Sequence, residues 1–385
     1  MAVVIHEQEL SGMRWLVVTG PRDEAFHALG QRTRDDIRAV QDAMPERLAL
    51  RRWASTDRGG GRLEQVMRAT ERSFGAELGE LRALAEGAGV DAEELLLANL
   101  RGDLGVDDGT GCSDLAWRRG TSFVAHNEDG APALDGRLML LTLALDGLVP
   151  VTVQWYPGFL PSNTFTATGH GLVWGINHMQ VLRPAASGAG RHFVARAVQQ
   201  AATLDDAVNF LRTNPSAGGF CYTFGELSAG RVAVVEAAAG SVAVVEAEGA
   251  PLHWHTNHVR HLPDPPDVAA ASAEVPVGGG AAVGNLGQYD ESVARGRVLE
   301  GLCMPEAEPS AEWFLKVLTG APLPHGVYRS AAGSDPLMTL CTAVADLNAD
   351  LITVRGRSGA PAVLRLSDYA RGKRRSYGPE QPSPA

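Results

Sequence analysis

The chain has 385 residues, of which 45% are apolar and 21% are charged. These proportions are close to the average for globular proteins, so they exclude global disorder and allow one large domain or two ordinary ones. The net charge of −11 argues against nucleic acid and anionic membranes as general partners, because both attract basic surfaces. No signal peptide, membrane span or disulfide framework is visible, so a reduced, cytoplasmic protein is expected.

The first hundred residues are predicted to be mostly helical. Apolar residues recur with roughly helical spacing over 22–43 and again over 63–86. The glycine-rich segment 57–61 between them is interpreted as a loop. Asp91 followed by Glu94 is typical of a capping box that begins a further short helix.

Strand patterns dominate the rest of the chain. Asp146 and Gly147 separate two apolar segments, which is typical of a hairpin, and 118–120 is predicted to turn an earlier one. Strands are predicted at 113–117, 121–126, 138–145, 148–155, 171–177, 220–227, 231–237, 241–247, 252–257, 338–346, 351–355 and 362–366. Helices are predicted at 191–202, 205–212, 290–302 and 311–319, a loop at 263–282 and a disordered tail at 372–385. This pattern indicates an α+β protein.

Cys112 follows Gly111 where the helical region gives way to the first of these strands. A thiol there could attack the preceding carbonyl carbon, and hydrolysis would then free Cys112 as a new N-terminus. Its α-amine, with a reference pKa of about 8, could act as the base for its own thiol, so no separate catalytic histidine is required. The alternative is that Cys112 is a small buried apolar residue, as free cysteines often are.

Several further blocks follow Cys112 in a fixed order. They are Gly111-Cys112-Ser113, Ala125-His126-Asn127-Glu128-Asp129, 171–177, His255-Thr256-Asn257-His258, 292–299 and 339–361. Together they resemble the isopenicillin N acyltransferase family (acyl-coenzyme A:6-aminopenicillanic acid acyltransferases) of the N-terminal-nucleophile hydrolases. The resemblance implies a four-layer α-β-β-α sandwich made as a self-cleaving zymogen, cut between Gly111 and Cys112. Residues 1–111 would be the pro-segment or small subunit, and 112–385 the large catalytic subunit.

The resemblance also implies roles for three polar residues. Asp129 could return beside Cys112 on a hairpin, where its carboxylate would hold the α-amine or the thiol proton. Asn257 could donate a hydrogen bond to a tetrahedral oxyanion, and Arg329 aligns with an arginine near the substrate. Each has an ordinary alternative: Asp129 before Gly130 suits a turn, an asparagine at a strand end often caps one, and loop arginines are usually solvated.

Substrate contacts are expected from Arg329, Tyr156, Trp174 and Asn177, although aromatic residues on strands are equally typical of plain core. Glu128 and Gly130 stand where the family usually has aromatic residues. That change alters the pocket wall beside the nucleophile, so the amide chemistry need not extend to penicillin-type substrates.

Other polar residues are given structural roles. His253, His255, His258 and His261 could suggest a metal, but no carboxylate or cysteine lies in suitable register, so no metal is predicted. They are expected at strand edges or behind the site. Two arginines of the predicted helix 290–302 are expected to make helix-surface or inter-subunit contacts, namely Arg295 and Arg297.

The sequence therefore predicts an enzyme that forms or cleaves an amide bond through an acyl thioester on Cys112. An acyltransferase acting on a small amine or natural product of secondary metabolism is favoured, and an amidohydrolase of acylated amino acids or peptide-like amides is the alternative. No cofactor is predicted; acyl-coenzyme A is a possible co-substrate, and a homo-oligomer is compatible with the sequence. Two rivals stay open: a non-catalytic protein that retains the fold, and a cysteine enzyme with a Cys–His pair and no self-cleavage.

Overall fold

The computed structural model describes residues 2–44, 46–105, 111–181, 183–248, 252–263, 286–333 and 335–374. Its strands are β1 Val4–Leu10, β2 Met13–Gly20, β3 Gly111–Arg118, β4 Ser122–Gly130, β5 Met139–Leu145, β6 Val151–Trp155, β7 Phe165–Thr168, β8 Leu172–Met179, β9 Gly219–Glu226, β10 Arg231–Ala238, β11 Ser241–Glu246, β12 His253–His255, β13 Met338–Asp346, β14 Leu351–Gly356 and β15 Ala362–Arg365. Its α-helices are α1 Arg22–Arg32, α2 Arg34–Asp42, α3 Glu46–Ala54, α4 Asp57–Ser73, α5 Gly75–Ala88, α6 Ala92–Asn99, α7 Arg191–Ala197, α8 Leu204–Thr213, α9 Leu286–Glu300, α10 Ala311–Thr319 and α11 Leu366–Tyr369.

The strands form two sheets. The nine-stranded sheet has the order β1-β2-β5-β6-β7-β8-β9-β10-β11, and the six-stranded sheet has the order β12-β3-β4-β13-β14-β15. Neighbouring strands are antiparallel except β2 and β5, which run parallel. Both faces of the central strands are covered, which explains why β5 is apolar at every position except Thr142 and why every residue of β8 is buried.

Three cores separate four layers. One core lies between α1–α8 and the nine-stranded sheet, and a second fills the space between the two sheets. A third lies between the six-stranded sheet and the pair α9 and α10. The order is therefore helices, sheet, sheet, helices, which confirms the expected α-β-β-α sandwich.

The N-terminal region departs from its prediction in several places. The hairpin β1–β2 was not predicted, and neither was α3. The predicted helix 22–43 is broken at Thr33 into α1 and α2. Residues 57–61 are not a loop: they begin α4, where the Thr56 hydroxyl accepts a hydrogen bond from the Gly59 N–H at 3.1 Å. This N-cap and the packing of α4 against α3 override the low helix propensity of glycine.

Most of the later predictions are confirmed, including both hairpins, with Gly147 in a left-handed conformation (φ +76°) at the second turn. The short strand β7 was missed. Most of the predicted loop 263–282 and of the predicted tail 372–385 lies outside the described residues. None of the helices that the structure describes is long and apolar enough to cross a lipid bilayer.

The position of β1 and β2 predicts the behaviour of a cut chain. If the bond before Cys112 is cleaved, residues 1–111 should stay bound, because β2 pairs with β5 from Trp15–Leu140 to Gly20–Leu145 and α1–α6 share the outer core. Both fragments should therefore elute together in gel filtration and separate only in denaturant. Elution of the large fragment alone in native buffer would contradict this expectation.

Candidate active site

The hairpin β3–β4 positions the candidate nucleophile. In this hairpin Cys112 lies opposite Glu128, and Asp114 lies opposite His126. Because side chains alternate along a strand, these four point into the space between the sheets. Their neighbours in the hairpin point instead into the core beneath α9 and α10: Leu115, Trp117, Phe123 and Ala125.

The four inward side chains form one buried hydrogen-bonded line. The Cys112 thiol donates to Glu128 Oε2 at 3.6 Å, and His126 Nε2 lies 3.2 Å from the same oxygen. His126 Nδ1 lies 2.6 Å from Asp114 Oδ1. The Tyr156 hydroxyl donates to the other Glu128 oxygen, Oε1, at 2.9 Å. All five residues are buried, so these contacts are made away from bulk water.

The opposite sheet closes over this line at Gly175 of β8. A Cβ atom at Gly175 would lie 2.7 Å from both Asp114 Oδ1 and His126 Nδ1, closer than real Cβ atoms approach other atoms. Only glycine leaves room for the carboxylate and the imidazole at this position.

The charges along the line are set by burial and by the neighbouring carboxylates. Burial disfavours a charged imidazole, but Asp114 and then Glu128 outweigh it and raise the pKa of His126 to about 10. His126 is therefore an imidazolium at neutral pH. Burial, and then the charges of Glu128, Asp129 and Asp114, raise the pKa of the Cys112 thiol well above its ordinary value, so Cys112 rests as a thiol.

The backbone of Cys112 is held by two further residues. Its N–H donates to Asn257 Oδ1 at 3.0 Å, and Arg295 Nη1 donates to its carbonyl oxygen. Arg295 Nη1 also donates to Ser113 Oγ at 2.9 Å, while Nη2 donates to Asn257 Oδ1 at 2.7 Å. Asn257 Nδ2 donates to the His178 carbonyl oxygen at 3.1 Å. Asn257, predicted to lie at the site, therefore contacts the backbone of Cys112 directly.

The interpretation of Arg295 as a helix-surface residue is wrong. Its side chain is 1% exposed and reaches the Cys112 carbonyl oxygen, whereas Arg297 is exposed as expected. Ser292 lies one helical turn before Arg295, and its Oγ accepts from the Asn257 N–H at 2.7 Å. One face of α9 thus holds Cys112 and Asn257 together. The block 292–299, which resembles a segment of the family, contains Arg295, but the resemblance alone assigns no role to this residue.

Asp129 lies opposite Gly111, and alternation places its side chain on the other face of β4 from the thiol. Its Oδ1 accepts from the Thr339 hydroxyl at 2.7 Å, and Oδ2 has no partner among the described residues. Burial raises the pKa of Asp129 to about 7, against the opposing influence of Arg295 and Arg329. Asp129 therefore borders the Gly111–Cys112 peptide bond, and its side chain lies on the other face of β4 from the sulfur.

Arg329 lies over Gly111. A Cβ atom on Gly111 would lie 2.8 Å from Arg329 Nη1. Arg329 is itself occupied: Nη1 donates to Glu291 Oε2 at 3.0 Å, and Nε donates to Asp335 Oδ1 at 3.0 Å. Arg329 is therefore buried beside Gly111 with its charge paired by Glu291 and Asp335, and its expected contact with substrate stays a prediction.

The remaining predicted substrate contacts divide between two faces of a sheet. Tyr156 lies in the buried line, and Asn177 donates to the His255 carbonyl oxygen at 2.9 Å between the sheets. Asn177 Oδ1 has no partner among the described residues. Trp174 does not join them: its ring packs 5.1 Å from Phe224 in the outer core, so the expectation that it lines the site is not met.

Within the described part of the chain, one group of side chains has donor atoms close enough to share a metal ion. It consists of Cys112, His126 and Glu128, whose ligand atoms lie within 4.8 Å of one another. The strand histidines have other contacts: His255 Nε2 lies 3.3 Å from Glu236, and His258 Nδ1 lies 2.9 Å from Ser292 Oγ.

Residues 117–359 match the model of the acyl-coenzyme A:6-aminopenicillanic acid acyl-transferase family. The chain belongs to this family. The match covers more than half of the sequence and confirms the resemblance read from the spaced blocks, and with it an enzyme of the acyltransferase and acylase class. The matched span begins after Cys112, so Gly111 and Cys112 lie outside it.

Among solved structures, the chain is similar to two variants of conjugated bile acid hydrolase from Clostridium perfringens. For one the identity is 11%, with 69% of this chain and 96% of that chain covered and a TM-score of 0.37; for the other the values are 10%, 69%, 96% and 0.39. It is also similar to penicillin V acylase from Agrobacterium tumefaciens (10% identity, 66% of this chain, 84% of that chain, TM-score 0.34). Likenesses this distant say nothing of a substrate. No curated protein matches the chain.

The contacts of Arg295 predict a loss of stability. Arg295→Lys keeps the charge but cannot serve Cys112, Ser113 and Asn257 at once, so it should lower the free energy of unfolding by ~1–3 kcal/mol. Arg297→Lys, on the exposed side of the same helix, is the matched control and should stay within about 0.5 kcal/mol of wild type in urea unfolding. Equal stability of both variants would show that the contacts of Arg295 contribute little.

The pKa of Asp129 predicts a pH dependence. An unfolded aspartate has a pKa of about 3.9. Because the folded value is raised to about 7, the folded state favours the protonated acid, and this stabilisation is lost as pH rises from about 4 through 7. Asp129→Asn should therefore gain stability relative to wild type over this window in urea unfolding. Asp42→Asn, at an exposed position, should run parallel to wild type; a parallel curve for Asp129→Asn would contradict the assignment.

Proposed function

We propose that the chain is a self-processing enzyme that cuts itself between Gly111 and Cys112 and then forms or cleaves amide bonds through an acyl thioester on Cys112. The observation that carries this proposal is the environment of one residue. The thiol, N–H and carbonyl oxygen of Cys112 are held by three separate buried groups, Glu128, Asn257 and Arg295, immediately after a glycine. A structural cysteine needs none of these contacts.

In the proposed turnover, the freed α-amine of Cys112 takes the proton from its own thiol. The sulfur then attacks the carbonyl carbon of the substrate amide or acyl donor, and the leaving group departs with that proton. Asn257 Oδ1, which accepts from the Cys112 N–H, would keep accepting from the amine and orient its lone pair toward the sulfur. Asp129, opposite the departed Gly111, would hold the amine from the other side.

The proposed oxyanion role of Asn257 needs one exchange of partners. Its Nδ2 donates to the His178 carbonyl oxygen in the uncut chain. Nδ2 would have to share or exchange this hydrogen bond when a tetrahedral oxyanion forms. Arg295 holds Oδ1 of the same planar amide, so the side chain would remain in place and offer the second hydrogen of Nδ2 to the substrate.

The group that resolves the thioester decides the reaction type. We favour transfer of the acyl group to a small amine, with acyl-coenzyme A a possible donor and a natural product a plausible acceptor. Glu128 and Tyr156 form a polar wall beside the sulfur, which suits a polar or cationic amine better than an aromatic acyl chain. Resolution by water, which would make the protein an amidohydrolase, is the second candidate.

The test follows processing first and turnover second. Purified wild type should give two bands on a denaturing gel, with the larger fragment beginning at Cys112 in N-terminal sequencing. Cys112→Ala should give one uncut chain and no turnover, since both steps lose their nucleophile, and Cys303→Ala, at an exposed cysteine, should behave as wild type. The cut enzyme is then offered an acyl thioester or reporter amide with and without added amines, and mass spectrometry distinguishes acylated amine from free acid. An intact, active wild-type chain would contradict the proposal.

A further inference from the structure

Self-cleavage poses a chemical problem that turnover does not. Before the cut, the nitrogen of Cys112 is a peptide N–H, and it donates its proton to Asn257 Oδ1 at 3.0 Å. A peptide nitrogen has no basic lone pair, so it cannot take the thiol proton. The α-amine that serves turnover is a product of the cleavage, and the first reaction of the chain needs another base.

The thiol cannot dispense with a base. Burial and three neighbouring carboxylates raise the pKa of the Cys112 thiol well above its ordinary value, so a standing thiolate is scarce at neutral pH. The proton must leave as the sulfur attacks, which requires an acceptor in contact with it. Asp129 lies on the other face of β4, and the near nitrogen of His126 is occupied by Glu128.

We propose that Glu128 is the base of self-cleavage, taking the thiol proton of Cys112 through the oxygen that lies 3.6 Å from the sulfur. This assignment rests on the proposed function, because it concerns the step that produces the mature enzyme. Glu128 would act in the cut before Cys112, where the α-amine does not yet exist and cannot be the base.

The step balances with Glu128 as the only proton carrier. The Sγ–H proton moves to Glu128 Oε2 as sulfur bonds to the Gly111 carbonyl carbon. The Gly111–Cys112 C–N bond then breaks, and Glu128 returns the proton to the leaving nitrogen, which leaves a thioester and an α-amine. Water attacks the thioester, the C–S bond breaks, and the products are the Gly111 carboxylic acid and the Cys112 thiol.

The surroundings of Glu128 fix it in this position. Tyr156 donates to Oε1 and leaves Oε2 to the sulfur, while His126, anchored by Asp114, holds Oε2 from the side. Two groups of other elements are close enough to interact with the cluster through charge: besides burial, the Glu128 charge raises the pKa of Cys341 of β13, and the Arg101 charge acts to lower that of Tyr156. The carboxylate thus cannot rotate away without breaking two hydrogen bonds, and such preorganisation is what a proton acceptor requires.

The test measures the rate of self-cleavage in variants of Glu128, by gel and mass spectrometry after a pulse of synthesis. Because a positioned acid–base group typically contributes 10²–10⁴-fold, Glu128→Gln should slow cleavage by roughly 10²-fold or more. Glu128→Asp should fall between it and wild type. Formate should partly and saturably restore cleavage in Glu128→Ala, which a merely structural role would not explain. Glu226→Gln, at a buried glutamate of β9, is the matched control and should be cut like wild type.

The outcomes separate this inference from the function on which it rests. Cleavage of Glu128→Gln at the wild-type rate would overturn the base assignment and leave the self-processing enzyme standing. A wild-type chain that is never cut before Cys112 would overturn both. Should Glu128→Gln melt well below Cys112→Ala, Glu128→Ala decides: cleavage at the wild-type rate without formate, or no response to added formate, would count against Glu128.

Discussion

The site depends on a balance of charge among buried groups. Asp114 and Glu128 are buried between the sheets, and one imidazolium, His126, lies between them at 2.6 and 3.2 Å. An unpaired buried carboxylate is destabilising by several kcal/mol, so removing the central cation would leave two such groups facing each other. The thiol of Cys112 lies at one end of this row of buried groups. Burial and the charges of the surrounding carboxylates raise its pKa, so the sulfur keeps its proton.

Much of this arrangement could be predicted from the sequence because it follows from local rules. The change from helical to strand periodicity located Cys112 at the start of β3, and the turn before β4 brought Asp129 back beside Gly111. The alternation of side chains along a strand also distinguishes two of the predicted substrate contacts. Trp174 and Asn177 lie three residues apart on β8, so they cannot face the same side, and only Asn177 points between the sheets.

The rest could not be predicted because it depends on contacts between distant parts of the chain. Arg295 is 183 residues from the Cys112 carbonyl oxygen that it contacts, and no local pattern distinguishes it from Arg297 two positions later. The contacts of Glu128 could not be predicted for a similar reason. Its replacement of an aromatic residue was visible, but its hydrogen bond from Tyr156, the residue after β6, forms only in the folded chain.

Gly175 has a consequence for protein engineering. Since its missing Cβ leaves the space that the carboxylate of Asp114 and the ring of His126 fill, the three positions form one steric and electrostatic unit spread over two sheets. Residues that share a cavity are strongly non-additive. A mutagenesis library that varies one of the three would return mainly losses, whereas a library that enlarges position 175 while replacing the polar pair with smaller apolar residues could recover a packed interior. Such combined variants would separate the fold from its chemistry.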